Sequence, residues 1–269
     1  MQQEASNLLL ARRTVGFVPT MGALHEGHLS LVRRSKKENE VTVVSIFVNP
    51  TQFGPNEDYT RYPKNLEKDL ELLKPLAVDI VFSPEANRMF PPPFQTRVTV
   101  EELSKPLCGQ SRPLFFRGVA TVVLKLFNLV EPTRAYFGEK DYQQLQVVTQ
   151  MVKDLNLDVE IVPCPIVREE DGLAMSSRNA YLSPSERADA TLLYAGLSLG
   201  KKAILQGEKN GDTVKKIIES HIQKAGNRIE YVSIVHPKML TDLKQIDNEA
   251  LLAVAVWVGK ARLIDNLLV

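Results

Sequence analysis

The chain has little cysteine, no surplus of charge and no long apolar run, and each shortage removes a class of protein. Cys108 and Cys164 are the only cysteines among 269 residues. Two are too few for a disulfide framework and lack zinc-ligand spacing, which suits a reducing compartment and leaves both as packing residues. The 33 basic residues offset 32 acidic ones to a formal charge of +1, so the overall field steers the molecule toward neither nucleic acid nor an anionic membrane. Any anion must be handled locally. The longest strongly apolar stretch, LLAVAVWV at 251–258, falls far short of the about 20 residues of a bilayer span. The opening MQQEASNLLLARR lacks the plan of a signal peptide. These shortages lead us to expect a cytoplasmic protein with no nucleic-acid or membrane partner.

What is present is an ordinary globular composition, 44% hydrophobic and 24% charged, enough for two modest cores. β-rich runs at 14–20, 40–49, 78–84, 134–138 and 158–167 alternate with helical patterns at 27–38, 64–73, 118–130 and 141–155. Runs apolar on both faces fit central strands of a parallel sheet. The alternation predicts a Rossmann-like, doubly wound α/β domain over residues 1–167. Beyond it the pattern changes. SPSE at 183–186 announces a helix, with Ser183 as cap, Pro184 at the first position and Glu186 reaching back, and the helix is expected to run past Leu199. Strand-like runs at 229–236, 251–259 and 261–268 complete a small α+β domain over 168–269. A proline-stiffened excursion, NRMFPPPFQTRVTV at 87–100, leaves the first domain to cover a site or form a subunit contact.

GFVPTMGALHEGHLSLV sets strand, turn and helix in succession at the carboxyl end of the first strand, where open parallel sheets bind ligands. Exposed amides at a helix start, reinforced by the dipole, favour a phosphate there. His25 and His28 project from one side of the first turn, and Gly27 between them leaves room for a nucleotide close to the backbone. Two imidazoles beside a phosphate can donate to charge developing in a transition state. A metal pair, or plain polar surface, is the alternative for two histidines so spaced.

HEGH after a first strand resembles the His-x-Gly-His signature of nucleotidylyl transferases, and the wider PTMGALHEGH closely resembles the pantothenate synthetase (pantoate:β-alanine ligase) family. SIFVNPTQF (45–53), YFGEKDYQQ (136–144) and DGLAMSSRNAYL (171–182) match the same family, in family order, over nearly the whole chain. The resemblance implies two steps. The pantoate carboxylate attacks the α-phosphorus of ATP to give pantoyl adenylate and pyrophosphate, and the β-alanine amine then displaces AMP. It assigns stabilisation of the reacting phosphorus to His25 and His28, with His28 the proton donor, and it lines the nucleotide with Met21, Gly22, Ala23, Leu24, His25, Glu26, Gly27 and His28.

The other motifs take their roles from the same resemblance. Asn49 and Gln52, with Met21, would bind pantoate, a hydroxy acid whose oxygens suit amides that both donate and accept. The alternative for the two amides is a turn and a cap. Gly138 permits close approach, Glu139 lies beside it, Lys140 can neutralise phosphate, Asp141 suits the ribose, and Gln144 would hold pantoate from the same helical face as Lys140. A solvated helix start is the alternative there. Val167 matches a backbone contact to adenine. Met175, Ser176, Ser177 and Arg178 resemble a mobile loop that closes over the triphosphate, which without the resemblance reads as a linker. Mg²⁺ is expected on the phosphates, with Asp69 as candidate protein ligand, or else as part of an acidic helix face. The first domain would then hold ATP and pantoate, and the second would act as a lid.

The chain departs from the family at Phe115, in RPLFFRGV (112–119), where relatives commonly carry a histidine. Relatives also usually carry a further segment with an extra strand before MQQEASNLLL. The family implies a homodimer, for which the apolar TVVSIFV run and the proline excursion are candidate contacts. Two other functions fit parts of the pattern. A nucleotidylyl transferase would share HxGH without needing NPTQF and GEKDYQQ together, and a nucleotide-sensing module without catalysis would not need His28, Lys140 and Arg178.

Overall fold

Valine, isoleucine and phenylalanine fill the runs of the first half, and they become five parallel strands: β1 (Val15–Thr20), β2 (Val41–Ile46), β3 (Ile80–Phe82), β4 (Arg134–Gly138) and β5 (Glu160–Cys164). The computed structural model describes residues 1–54, 59–223 and 227–269. Strand order is β3-β2-β1-β4-β5. β1 pairs with β2 from Val15↔Val41 to Thr20↔Ile46 and with β4 through Gly16↔Arg134 and Phe17↔Ala135. The winding therefore reverses at β1, and the carboxyl ends of β1 and β4 form the switch point where such sheets take ligands.

The helices of this half are α1 (Gln2–Leu10), α2 (Glu26–Glu38), α3 (Leu66–Leu73), α4 (Ala86–Met89), α5 (Cys108–Ser111), α6 (Phe115–Val130) and α7 (Tyr142–Asp154). Alternation along β1 divides its neighbours. Val18 joins Val44, Tyr136 and Val162 in a cluster with Leu29 and Val32 of α2. Phe17, the preceding residue, turns to Phe127 of α6 at 6.3 Å, and Phe127 meets Phe137 at 6.5 Å. Helices thus cover both faces, as doubly wound patterning requires.

Three expected strands are shorter than their runs by several residues, and β3 keeps only Ile80–Phe82 of 78–84. β2 ends at Ile46 because the chain turns into a 3₁₀ turn at Pro50–Gln52. β5 ends at Cys164, between Pro163 and Pro165, neither of which can donate to a ladder.

The chain divides into two compact units. The first comprises Met1–Lys105, Gly109–Glu139 and Gln144–Pro165, and the second Pro106–Cys108, Lys140–Gln143 and Ile166–Val269. The continuous part of the second unit holds α8 (Pro184–Ala190), α9 (Leu192–Leu205), α10 (Gly211–Ile222), β6 (Arg228–Val235), β7 (Leu251–Val258) and β8 (Ala261–Leu268). The strands form an antiparallel sheet in the order β6-β7-β8. Val254, Val256 and Leu252 of β7 share a core with Leu193 and Leu197 of α9 and Ile218 and Ile222 of α10. Ser183 and Glu186 form the expected capping box, with Ser183 N–H donating to Glu186 Oε2 at 2.8 Å. The helix they start stops at Ala190, and α9 resumes at Leu192, so one expected helix is two. Among the described residues no helix is long and apolar enough to cross a membrane.

Candidate active site

The connection from β1 to α2 is built on two consecutive left-handed residues, Gly22 (φ 79°) and Ala23 (φ 51°). For alanine that conformation costs about 1–2 kcal/mol, so something must hold it. Gly22 N–H donates to Thr20 Oγ1 at 3.2 Å, and the Thr20 hydroxyl donates to Ser45 O at 2.7 Å. The next two amides meet one carboxylate. Ala23 N–H donates to Asp69 Oδ2 at 3.1 Å and Leu24 N–H to Asp69 Oδ1 at 2.8 Å. The amides of Ala23 and Leu24 are thus taken by an internal anion, ahead of the helix start at Glu26 where a phosphate is expected. Asp69 itself, expected as a magnesium ligand, is 2% exposed and directs both oxygens at the backbone.

Two more side chains expected at the nucleotide turn elsewhere. Leu24 is buried in the core beside Leu29 and Val44. Glu26 is exposed and paired with Arg33 seven residues on, which holds its carboxyl below the usual range. Only main-chain atoms of these two can serve a ligand.

His25 caps α2 with extended backbone, φ −143° and ψ 175°. Its N–H donates to His28 Nδ1 in a long bond of 3.4 Å, and the two rings lie 4.1 Å apart. With Nδ1 accepting, the proton of a neutral His28 ring sits on Nε2. Both imidazoles are half-buried at the carboxyl end of β1, and Gly27 between them is half-buried as well.

Asn49 follows β2 and is 1% exposed. Its Oδ1 accepts from Thr51 N–H (3.2 Å) and Thr51 Oγ1 (2.9 Å), and its Nδ2 donates to Gln52 Oε1 (3.0 Å) and Gly118 O (3.1 Å). Asn49 is therefore committed to the turn, its side-chain atoms engaged by Thr51, Gln52 and Gly118 instead of lying open as expected for a direct substrate contact. Gln52 in turn donates from Nε2 to Met21 Sδ at 3.0 Å, so Met21, Asn49 and Gln52 do converge. Gly118 of α6 permits this turn, since a Cβ there would lie 2.3 Å from Thr51 O. Phe115, expected to stand in place of a histidine, lies 3.7 Å beneath the Arg112 guanidinium, and Arg112 donates to Gln52 O at 3.2 Å. The pair forms an aromatic–cation stack.

Gly138 ends β4, and Glu139, Lys140 and Asp141 form a 3₁₀ turn before α7. Lys140 and Gln144 therefore sit in different elements, not on one helical face as expected from their spacing. Lys140 Nζ lies 3.4 Å from Asp141 Oδ2. Within the second unit, the Lys140 carbonyl accepts from Asn266 Nδ2 of β8 at 3.0 Å. Gln143 donates to Pro106 O (2.7 Å) and accepts from Cys108 N–H (3.0 Å).

The segment from Val167 to Arg178, also in the second unit, is a bonded loop rather than a linker. Val167 O accepts from Met175 N–H at 3.0 Å, and Arg168 bridges to Ala174. Ser176 caps a 3₁₀ turn over Ser177–Tyr181 by accepting from Arg178 N–H at 3.2 Å. Asn179 donates to Glu169 Oε1 and Ala174 O, and Arg187 pairs with Glu169 and Asp171. Arg168 forks onto Asp265 at 2.7 and 2.9 Å. Burial pushes the Asp265 carboxyl up, against the pull of that guanidinium. No sequence motif singles out Asp265 or Asn266. Their one signal is a polar pair in the middle of a largely apolar strand, ARLIDNLL.

Among the described residues no group of three or more His, Cys, Asp or Glu is gathered to hold a metal. The described side chains thus do not compose a magnesium cage.

Residues 1–268 match the family model for pantoate-beta-alanine ligase. Pantothenate synthetase of Thermotoga neapolitana is 56% identical over 267 residues, 99% of this chain and 95% of that one. The enzyme of Caldicellulosiruptor saccharolyticus is 58% identical over 96% of this chain and 92% of its own. A crystal structure of pantothenate synthetase from Thermus thermophilus superposes with a TM-score of 0.93 at 50% identity, covering 98% of this chain and 96% of that one. The pantoate-beta-alanine ligase of Francisella tularensis, complexed with beta-gamma ATP and beta-alanine, gives 0.80 at 39% identity, covering 99% and 94%.

Proposed function

This chain belongs to the pantoate-beta-alanine ligase family, and from that premise we propose that it condenses pantoate with β-alanine at the expense of ATP through a pantoyl adenylate. In the first step a pantoate carboxylate oxygen attacks the α-phosphorus and pyrophosphate leaves. In the second, the β-alanine amine attacks the acyl carbon, AMP departs, and the amine gives up a proton. The observation that carries this reading is the full-length family match, supported by the paired imidazoles at the end of β1.

His28 would donate from Nε2 to the phosphate as charge develops, with His25 beside it. Met21, Gly22, Ala23 and Gly27 would line the nucleotide through their backbone. Gln52 would bind pantoate, positioned by Asn49, and Gln144 would assist. Lys140, Ser176, Ser177 and Arg178 would offset charge on the β and γ phosphates. Gly138 would permit close approach, with Glu139 beside it, Asp141 would face the ribose and Val167 the adenine, and Met175 would belong to the loop over the triphosphate. Magnesium would neutralise the triphosphate while held by nucleotide and water. We also propose a cytoplasmic homodimer. Its contact would not use β2, whose side chains are all buried within the sheet.

The test is pyrophosphate release from ATP with pantoate alone, followed by AMP formation only on adding β-alanine. Pyrophosphate release that needs no pantoate, or none under any condition, rejects the ligase reading.

A further inference from the structure

We propose that Asp69 is a positioning residue for the histidine pair, acting as an internal anion that clamps the turn leading into His25. The proposal rests on the reading of His25 and His28 as the groups that act on ATP.

Asp69 enters from α3, outside every motif that marks the site. Its helix is fixed at both ends. Asn65 caps it by accepting from Lys68 N–H at 3.0 Å, and Leu73 is buried in the same cluster as Leu24 and Leu29. From that base the carboxylate grips successive amides, Oδ2 on Ala23 and Oδ1 on Leu24. Leu24 directly precedes His25. The gripped turn holds two consecutive left-handed residues, one of them alanine, so its shape depends on support from outside. Two amides converging on one carboxylate supply that support and leave neither oxygen turned outward. The fit is close on the other side as well: a Cβ on Gly22 would stand 2.8 Å from Asp69 Oδ2 and 3.1 Å from Ile46 Cγ2. Glycine at that position thus lets the turn pass the carboxylate without pressing on it.

The competing role is that of a metal ligand. The orientation of both oxygens argues against it, and the two roles differ in what they predict. A clamp sets the imidazoles against the phosphorus and affects turnover. A ligand affects the magnesium dependence. Asp69→Asn discriminates, because the amide keeps one acceptor but turns an N–H₂ group toward a backbone N–H.

The full chain is assayed by single-turnover pyrophosphate release with pantoate, as wild type, Asp69→Asn, His28→Ala and the double variant. Misplacement of reacting groups predicts a loss of about tenfold to a hundredfold in the maximal rate for Asp69→Asn. The half-saturating Mg²⁺ concentration and the KM for β-alanine stay unchanged, and the double variant is no slower than His28→Ala alone. A full-rate Asp69→Asn beside a slow His28→Ala overturns the clamp while leaving the histidine assignment intact. So does a double variant slowed by the product of the two single losses, or an Asp69→Asn rescued by added Mg²⁺. A full-rate His28→Ala overturns the histidine assignment, and the clamp with it. If Asp69→Asn does not fold, Gly22→Ala, which presses on the intact carboxylate from the turn, takes its place with the same expected outcomes.

Discussion

His28 has two nitrogens with different duties. Nδ1 is turned back to the N–H of His25, which orders the first turn of α2 and leaves the proton of the neutral ring on Nε2. A ring so oriented is preorganised to donate, and removing it leaves the developing phosphate charge without that donor. His28→Ala is expected to slow adenylate formation by on the order of a hundredfold or more, read by single-turnover pyrophosphate release. An unchanged rate removes His28 from the mechanism. The histidines are legible in the sequence because strand, turn and helix signals surround them. The duties of their neighbours are not. A linear motif names Leu24, Glu26 and Asn49 without saying which way each side chain turns, and the fold sends one to the core, one to Arg33 and one into its own turn. Asp69 is visible in the sequence only as an acidic position, since its partners lie 45 and 46 residues away.

At the scale of elements, the turn that carries Gln52 depends on how closely α6 approaches it. A Cβ at position 118 would meet Thr51 O at 2.3 Å and Gln52 N at 2.8 Å, backbone atoms that cannot rotate aside. Gly118→Ala is therefore expected to cost about 1–3 kcal/mol of stability, the range for overpacking, and to raise the KM for pantoate by displacing Gln52. Urea unfolding together with substrate titration checks both; a variant with wild-type KM would mean that Gln52 does not contact pantoate. Nothing in the sequence warns of this contact, because Gly118 sits in a strongly helical run and meets a turn far back in the chain. The existence of α6 is plain from its apolar periodicity, and only its start differs, at Phe115 instead of 118.

A second element-scale prediction concerns Asp79, just before β3. Burial alone would raise its carboxyl, but the Thr42 amide at 2.7 Å and Lys36 at 2.9 Å outweigh that and hold it below its usual range. A depressed folded value means that the contribution to stability is present above the unfolded carboxylate pKa of about 3.9 and is lost as pH falls through the lower folded value. The side chain is partly exposed, so the effect is about 1 kcal/mol or less. Asp79→Asn is expected to lower the urea midpoint at pH 7, with the gap to wild type narrowing in acid. A gap that widens there would contradict the sign.

At the scale of the whole molecule, one buried cluster lies between the parallel sheet and α2 and another between β6–β8 and α9–α10. Continuous apolar runs and the period of 3.6 in the helices make both clusters legible in the sequence. The short returns at Pro106–Cys108 and Lys140–Gln143 carry no such pattern; Gln143 bonds them to each other, and Asn266 and the contacts of Cys108 with Tyr231 and Arg262 bond them to the strands of the second unit. The second core surrounds one costly feature, the fork of Arg168 on Asp265, whose side chains are 16% and 2% exposed. Arg168 also stacks on Tyr194 at 3.8 Å and donates to Gly172 O, so it ties the hairpin at 168–174 to β8 and α9. Removing one partner of such a pair leaves an uncompensated buried charge and costs about 3–5 kcal/mol. Asp265→Ala should therefore speed amide hydrogen exchange across β6–β8 and the hairpin while leaving β1 and β2 protected, since local opening follows the contacts that close it. Uniform acceleration in both sheets would show instead that the two cores open as a single cooperative unit.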